Sequence, residues 1–306
     1  MSHSQTSVII VTLNESANIG ALLEAIRRQE VDSHVEIVLI DSGSTDGTVD
    51  IAGRLADQVI QIPQEEFHHA RTRNLGARRA QGDVLVYVGG DALPVGIHWL
   101  ASLLRHFSDA EVAAVFGRQI PRPGATIERR MLFEHRYPPR PRVLSGRPTD
   151  GSNPSQAYHF STVNAAIRRS VWAASPFPEI CKTYEDVGMA KQILEQGRKI
   201  MYEPEAAVIH SDNYTLRQGF GRSFDVGVIF NRLGLWDAHA KAGFRRDGTR
   251  RALHELGMAL ARGEWAGAAY LACFDFARYA GIFLGRNERR LPHALKKRMS
   301  YARIFG

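Results

Sequence analysis

Asp91 follows Gly89 and Gly90 directly after an apolar run, where the backbone can approach a ligand closely. A carboxylate set there can bind a divalent cation that also binds a diphosphate, and it can equally cap a helix expected after Pro94. Asp41 ends a second apolar run and opens the turn DSGSTDGT. Ser44, Thr45 or Asp46 suffices to cap the next helix. That leaves the Asp41 carboxylate available to a base or a ribose. His68, His69, Arg71, Arg73 and Asn74 lead into another helix. A helix N-terminus with arginines suits phosphate, and the same residues also make an ordinary solvated face. Glu185 and Asp186 open a helix as well. One of two neighbouring carboxylates can act as a general base, and both can simply offset the helix dipole. His210 follows a short apolar run, as a metal ligand or as a buried, hydrogen-bonded histidine.

Turns so far apart in sequence need a frame that gathers them. Residues 7–13, 35–40, 59–62, 84–88 and 112–117 are apolar and rich in β-branched side chains, as strands buried on both faces are. Between them, residues 19–28, 49–56, 70–80 and 97–107 carry a helical pattern. The alternation predicts an α/β fold with a mostly parallel sheet and helices on both faces. Ligands of such sheets sit beyond the C-terminal strand ends, where the turns at Asn14-Glu15, Asp41-Ser42 and Gly89-Gly90-Asp91 all fall. Residues 147–156 (RPTDGSNPSQ) read as a mobile loop. An ordered stretch over 160–167 follows, then helices over 169–174 and 185–196, then short strands at 199–202 and 207–209. From Arg217 onward the pattern is mainly helical. The expected division is an α/β domain over 1–225 and a basic helical extension over 226–306.

The 306 residues are 44% hydrophobic and 23% charged, which excludes disorder over the whole length. A net charge of +7 fits a phosphorylated ligand, an anionic membrane surface or nucleic acid. The basic residues concentrate over 286–303, against the single acid Glu288. They carry one aromatic, Tyr301, and no nucleic-acid motif, so nucleic acid is not an expected partner. Cys181 and Cys273 lie among apolar residues without a CxxC spacing and are expected as two buried free thiols. Residues 1–7 are short and polar and show no secretory segment, which points to the cytoplasm. Residues 265–284 have the length to cross a bilayer, but Asp275 and Arg278 would be costly near its centre. An amphipathic helix is expected instead, with Trp265, Tyr270, Leu271, Phe274, Arg278, Ile282 and Phe283 segregating its faces. Together with the basic run it would lie on the cytoplasmic leaflet. The alternative is packing on the protein's own core or on a second subunit of a homodimer. The stretch after Gly285 is expected to be separable from nucleotide binding.

The order of these motifs adds more. A strand followed by TLNE, a strand followed by DSGSTDGT, the helix start ARTRNLGA, an Asp turn, an ED pair and a later histidine together resemble the inverting glycosyltransferase family 2, with its GT-A fold. The resemblance covers residues 7–225. FHHARTRNLGARRAQGDVLVYVGGDALP, FGRQIPRP, FSTVNAAIRRSVW and RYAGIFLGRNERRLPHALKKRMS look closer still to its rhamnosyltransferase-like branch, which uses dTDP-L-rhamnose. The resemblance implies that Thr12, Glu15 and Asp41 hold the nucleoside of a nucleotide-sugar donor and that Arg73 faces its diphosphate. It makes Asp91 the last residue of the family's DXD motif, His210 a metal-site histidine and Asp186 the catalytic base. The implied cofactor is a divalent cation, Mg2+ or Mn2+. One departure is plain: Gly89 stands where the motif has its first Asp. Coordination would then rest on Asp91, His210, the diphosphate and water. The implied reaction moves a sugar to a hydroxyl of a saccharide or lipid-linked saccharide in cell-surface polysaccharide synthesis. A non-catalytic nucleotide-sugar-binding protein on the same fold is the competing reading, and the presence of both Asp91 and Asp186 weighs against it.

Overall fold

Val8, Ile9 and Ile10 of β1 (Gln5–Thr12) are fully buried, as a strand covered on both faces must be. The computed structural model describes residues 5–146, 153–180, 182–236 and 238–305. Cys181 and residues 147–152 of the expected loop lie outside them. β2 (His34–Asp41) and β4 (Val84–Gly89) flank β1 in parallel, and β3 (Gln58–Gln61) continues the parallel half beyond β2. The connections are α1 (Ile19–Arg27), α2 (Thr48–Leu55) and α3 (His69–Arg79). α1 turns Ile19, Leu22, Leu23 and Ile26 onto one face of the sheet, and α3 brings Ala70 and Ala77 to the core on the other.

The second half of the sheet is mixed. β8 (Asn164–Arg168) runs antiparallel between β4 and β6 (Val112–Ile120). β6 pairs in parallel with β9 (Lys199–Ile209). β5 (Leu93–Pro94) and β7 (Arg142–Leu144) lie antiparallel on β9. The path of the sheet is β3-β2-β1-β4-β8-β6-β9-β5. The two short strands expected at 199–202 and 207–209 are therefore one strand. Its register slips opposite Gly117 and Arg118, where Glu203 and Pro204 interrupt the apolar pattern. The Glu203 carboxylate is buried there and held by Arg105 at 2.6 Å and by the Glu205 amide at 2.9 Å. The helix expected over 97–107 is shorter, α4 (Trp99–Leu104), and ends in a 3-10 turn over Arg105–Ser108.

Beyond the sheet, α9 (Leu216–Arg232) starts on a Thr215–Gln218 capping box. The domain boundary expected at 225 falls inside this one helix. α10 (Ala238–Ala261), α11 (Trp265–Arg286) and α12 (His293–Met299) follow. α9 and α11 approach closely through glycines. Gly219 sits under the Phe274 ring, Gly227 against the backbone of Ile282, and Gly281 and Gly285 against the backbone of Phe220 and Phe224. Leu271, Phe274 and Ile282 are consequently buried, and the Tyr270 hydroxyl donates to the Tyr214 carbonyl at 3.2 Å. These four residues belong to the protein's own core, which corrects the amphipathic surface face expected of them. Asp275 and Arg278 pair at 2.9 Å on the inner side. Cys273 is free and exposed, not buried as expected. No described helix is long and apolar enough to cross a membrane.

Candidate functional site

The ends of β1 and β2 lock each other. Asn14, at φ 54, donates its amide to Ser44 Oγ (2.7 Å), and its side-chain oxygen accepts the Thr45 amide (2.9 Å). The Glu15 amide donates to Thr48 Oγ1 (2.8 Å) and the Ser16 amide to Asp46 Oδ2 (3.0 Å). Asp41 is fully buried inside this structure. Its carboxylate accepts the Gly43 and Ser44 amides at 3.0 and 2.9 Å and the Ser44 hydroxyl. It shapes the turn, which is a role the residue pattern alone did not supply. Thr12 is buried under Gly90, and its hydroxyl has no partner among the described residues.

A second cluster forms where β4 and β9 end. His210 Nε2 lies 3.5 Å from Asp91 Oδ2, and one donor atom each of Asp91, His210 and Asp212 lie within 4.8 Å of one another. Gln119 fixes the imidazole. Its amide nitrogen donates to Ser161 Oγ (2.9 Å), so its oxygen faces His210 Nδ1 (3.0 Å) and takes that N–H. Nε2 is then left with its lone pair toward the carboxylates, the tautomer a metal ligand needs. Burial holds His210 below the usual histidine range, which keeps the ring neutral. Two carboxylates and one imidazole fit a divalent cation. Arg122 occupies the other side of Asp91: its Nη2 is 3.0 Å from Oδ2 and also donates to the Asp91 carbonyl. Glu15 belongs to this cluster, where burial raises its carboxyl above the ordinary value and the Asp91 charge adds to the effect.

The ED pair makes a third cluster. Tyr184, at φ 58, turns the chain into α8 (Glu185–Glu195), and a bulky residue in that conformation stores strain. Glu185 is buried and paired with Arg73 at 2.8 Å. Arg73 is itself buried, and its Nη1 also meets His69 Nδ1 at 3.0 Å. The guanidinium expected to face a diphosphate is thus committed to Glu185. Asp186 is partly exposed, and its one hydrogen-bond partner among the described residues is its own helix, through the Val187 amide at 2.8 Å. Loss of hydration, reinforced by the Glu185 charge, pushes its carboxyl up to about 7. A carboxylate near that value is a competent base at neutral pH.

A cavity of about 600 Å³ opens beside the loop that leads into α8. Leu13, Phe67 and His69 line it from the α/β half, and Lys182 and Tyr184 from the loop before α8. Tyr301, Ala302 and Arg303 close it from the far end of the chain. The Asp225 carboxylate pins that segment by accepting the Ala302 amide at 2.8 Å, and Lys182 Nζ reaches the Arg303 carbonyl at 3.4 Å. Lys182, Arg222 and Arg303 make the cavity cationic, against Glu65 and Asp225. The stretch after Gly285 therefore contributes Tyr301, Ala302 and Arg303 to the wall of this cavity.

Over residues 7–173 the chain matches glycosyl transferase family 2. It belongs to that family. The enzyme is 33% identical over 290 residues to the O-antigen chain rhamnosyltransferase RfbN of Salmonella typhimurium, covering 94% of this chain and 91% of that protein. It is also 33% identical to the O-antigen chain rhamnosyltransferase WbaN of Salmonella anatum, over 87% of this chain and 84% of the other. Among solved structures, the mannosyltransferase PcManGT of Pyrobaculum calidifontis, in complex with GDP-Man and Mn2+, superposes with a TM-score of 0.57 at 20% identity, covering 100% of this chain and 86% of that one. S. aureus TarS 1–349 in complex with UDP-GlcNAc gives 0.55 at 15% identity, covering 94% and 91%. These likenesses establish a GT-A fold for a glycosyltransferase.

Within the enzyme, the structure brings Glu15, Asp91 and His210 together, sets Asp186 beside Arg73, and keeps Asp41 inside its turn. Asp212, Gln119 and Arg122 were not singled out from sequence. Asp212 stands two residues after His210, and Gln119 and Arg122 lie in the run FGRQIPRP, so a strand-end reading of either segment reaches them.

Proposed function

We propose that the enzyme transfers L-rhamnose from dTDP-L-rhamnose, with inversion, to a hydroxyl of a saccharide or lipid-linked saccharide in cell-surface polysaccharide synthesis. The observation that carries the chemistry is Asp186, a carboxylate with no ion pair among the described residues, raised to about 7 and two residues after Tyr184, which lines a cationic cavity. The likeness to two O-antigen chain rhamnosyltransferases along most of the chain supports the sugar. Asp186 takes the acceptor hydroxyl proton as that oxygen bonds to the anomeric carbon. The bond from that carbon to the diphosphate oxygen breaks, and its electron pair leaves on dTDP. Lys182, Arg222 and Arg303 offset the leaving charge. Arg73 neutralises Glu185 and keeps it from competing for the proton. The locked turns carrying Thr12, Glu15 and Asp41 shape the nucleoside end. Asp91, His210 and Asp212 would hold a divalent cation, Mg2+ or Mn2+, which supplies positive charge to the donor diphosphate.

A panel of dTDP, UDP and GDP sugars tests the donor. Loss of dTDP-rhamnose, and of no UDP-hexose, is the expected result. Calorimetry should show dTDP binding tightened by Mn2+. Turnover of UDP-hexoses with dTDP-rhamnose untouched would remove the sugar assignment and leave the family standing. No binding of dTDP or UDP at millimolar concentration would leave a different protein on the same fold.

The membrane-facing part of the reading keeps Trp265 and Phe283 of the expected face and adds Phe276. Trp265, Phe276 and Phe283 are 71%, 75% and 57% exposed along α11. Arg289, Arg290, Lys297 and Arg298 are exposed beyond it. Each basic residue near an anionic surface contributes about 1 kcal/mol before screening. The enzyme should float with anionic vesicles, float poorly with neutral ones and be released by high salt. Equal recovery in the soluble fraction with both lipids, together with a concentration-dependent dimer, would assign the exposed aromatics to a second copy.

A further inference from the structure

A second cavity, of about 300 Å³, lies between α5 (Ile127–Arg136), the segment 153–159 and helices α9, α10 and α11. Tyr184 and Arg222 line it and also line the larger cavity, so the two adjoin at the ED loop. Six arginines face it: Arg129, Arg136, Arg142, Arg222, Arg251 and Arg278. The lining acids are Glu128 and Asp247. Three of the arginines are neutralised. Arg129 Nε lies 3.2 Å from Glu128, Arg278 lies 2.9 Å from Asp275, and Arg251 lies 3.3 Å from Asp275 and 3.6 Å from Glu255.

The other three have no carboxylate partner among the described residues. Arg142 lies over the Tyr202 ring and donates to the Arg136 carbonyl at 2.7 Å. Arg222 lies over Tyr214 and Tyr301. The Arg136 guanidinium has no hydrogen bond or ion pair among the described residues. Two further lining groups are also unsatisfied there. His159 is 8% exposed and its buried Nε2 has no partner, and the buried Tyr279 hydroxyl has none either. Buried donors and unpaired cations around one void call for an anion with several acceptor oxygens. A carboxylate, which one arginine fork satisfies, matches three guanidiniums without a carboxylate partner poorly. A phosphate ester or diphosphate matches them well. Arg136 also lies near enough to Asp186 for its charge to favour the ionised carboxylate there.

We propose that this arginine-lined cavity binds a phosphate or diphosphate ester carried by the acceptor, and thereby presents the acceptor hydroxyl to Asp186. The proposal rests on the reading of Asp186 as the base and adds the acceptor's chemical class to it. The ester could belong to a lipid-linked acceptor or be a free phosphate species, and both present the same oxygens.

Calorimetry on the full chain, without metal and with the donor cavity saturated by dTDP, separates them. The probes are decyl diphosphate and inorganic pyrophosphate. Decyl diphosphate should bind about tenfold or more tightly than pyrophosphate, because the acceptor brings an organic portion as well as the charge. Arg136→Gln and Arg142→Gln should each weaken decyl diphosphate by about tenfold, the scale of one lost charge-assisted contact. Both variants should keep the parent's dTDP affinity, which shows that they are folded. Equal affinity for the two probes would make this a free-phosphate site and overturn the acceptor assignment. No binding at millimolar concentration, or binding indifferent to both substitutions, would overturn the site itself. If decyl diphosphate binds as expected and Asp186→Asn still transfers sugar, the site stands and the base assignment falls.

Discussion

Replacing Asp186 by Asn is expected to slow transfer by about a hundredfold or more while dTDP binds as before, the usual scale for a positioned proton acceptor. The amide keeps the shape of the carboxylate and cannot take the proton. Glu185 offers no substitute, because Arg73 holds it at 2.8 Å in a buried pair. The pH profile carries the same information. Asp186 acts only when ionised, and its carboxyl is raised to about 7. Transfer should therefore fall about tenfold per pH unit below 7 and level off above it. Stability should move the other way. The folded value of about 7 stands above the ordinary aspartate value of 3.8, so ionising this group works against the fold. That penalty is absent below about pH 4, grows as pH rises toward 7 and is fully present above it. Asp186→Asn should consequently melt higher than the parent at pH 8, with the difference closing toward pH 4. Near-normal turnover in the variant would show that Asp186 is not the base, and a melting temperature that differs from the parent's alike at both pH values would show that its carboxyl is not raised by its surroundings.

The first half of the fold was legible because strand burial and turn chemistry agree there. Runs such as SVIIVTL and VEIVLID have a single stable placement, inside a parallel sheet. The TLNE and DSGSTDGT turns make complementary donors and acceptors, and the structure joins them atom to atom. The site was legible where a residue stands at a strand or helix end, as Asp91, His210 and Asp186 do. It was not legible where function depends on pairing across the chain. No spacing rule connects Arg73 to Glu185, or Gln119 to His210, since each contact needs the fold already formed. The C-terminal helices were misread for a definite reason. Helical spacing shows which residues share a face, not what that face meets. Gly219, Gly227, Gly281 and Gly285 let α9 and α11 touch, so Phe274 and Ile282 went inward. A hydropathy pattern counts those glycines as neutral and misses the contact they permit. β9 was split in two because a buried Glu203 followed by Pro204 looks like a strand end, although here it is a bulge held by Arg105.

Removing residues 300–306 should weaken dTDP binding by about tenfold or more. Tyr301, Ala302 and Arg303 form one wall of the larger cavity, held there by the Asp225 carboxylate on the Ala302 amide. Arg303 adopts φ 51, outside the ordinary range for a side chain of its size, so its placement is imposed by these contacts. Its charge joins those of Lys182 and Arg222, and a charge-assisted hydrogen bond to a phosphoryl oxygen is worth about 1.5–3 kcal/mol. Deletion also strips Phe305 from Phe224, which packs in the core of α9, so some loss of stability accompanies it. The point variant Arg303→Gln leaves that packing in place and separates the two effects. Calorimetry with dTDP and with thymidine completes the comparison. Arg303→Gln should lose affinity for dTDP and keep whatever affinity the enzyme has for thymidine, since thymidine has no phosphate to lose. The same variant should bind dTDP with a weaker dependence on salt, because one fewer cation contributes to the cleft. If the deletion and Arg303→Gln both bind dTDP as the parent does, the wall is only a neighbour of the donor, and the diphosphate lies toward Asp91 and Arg122 instead.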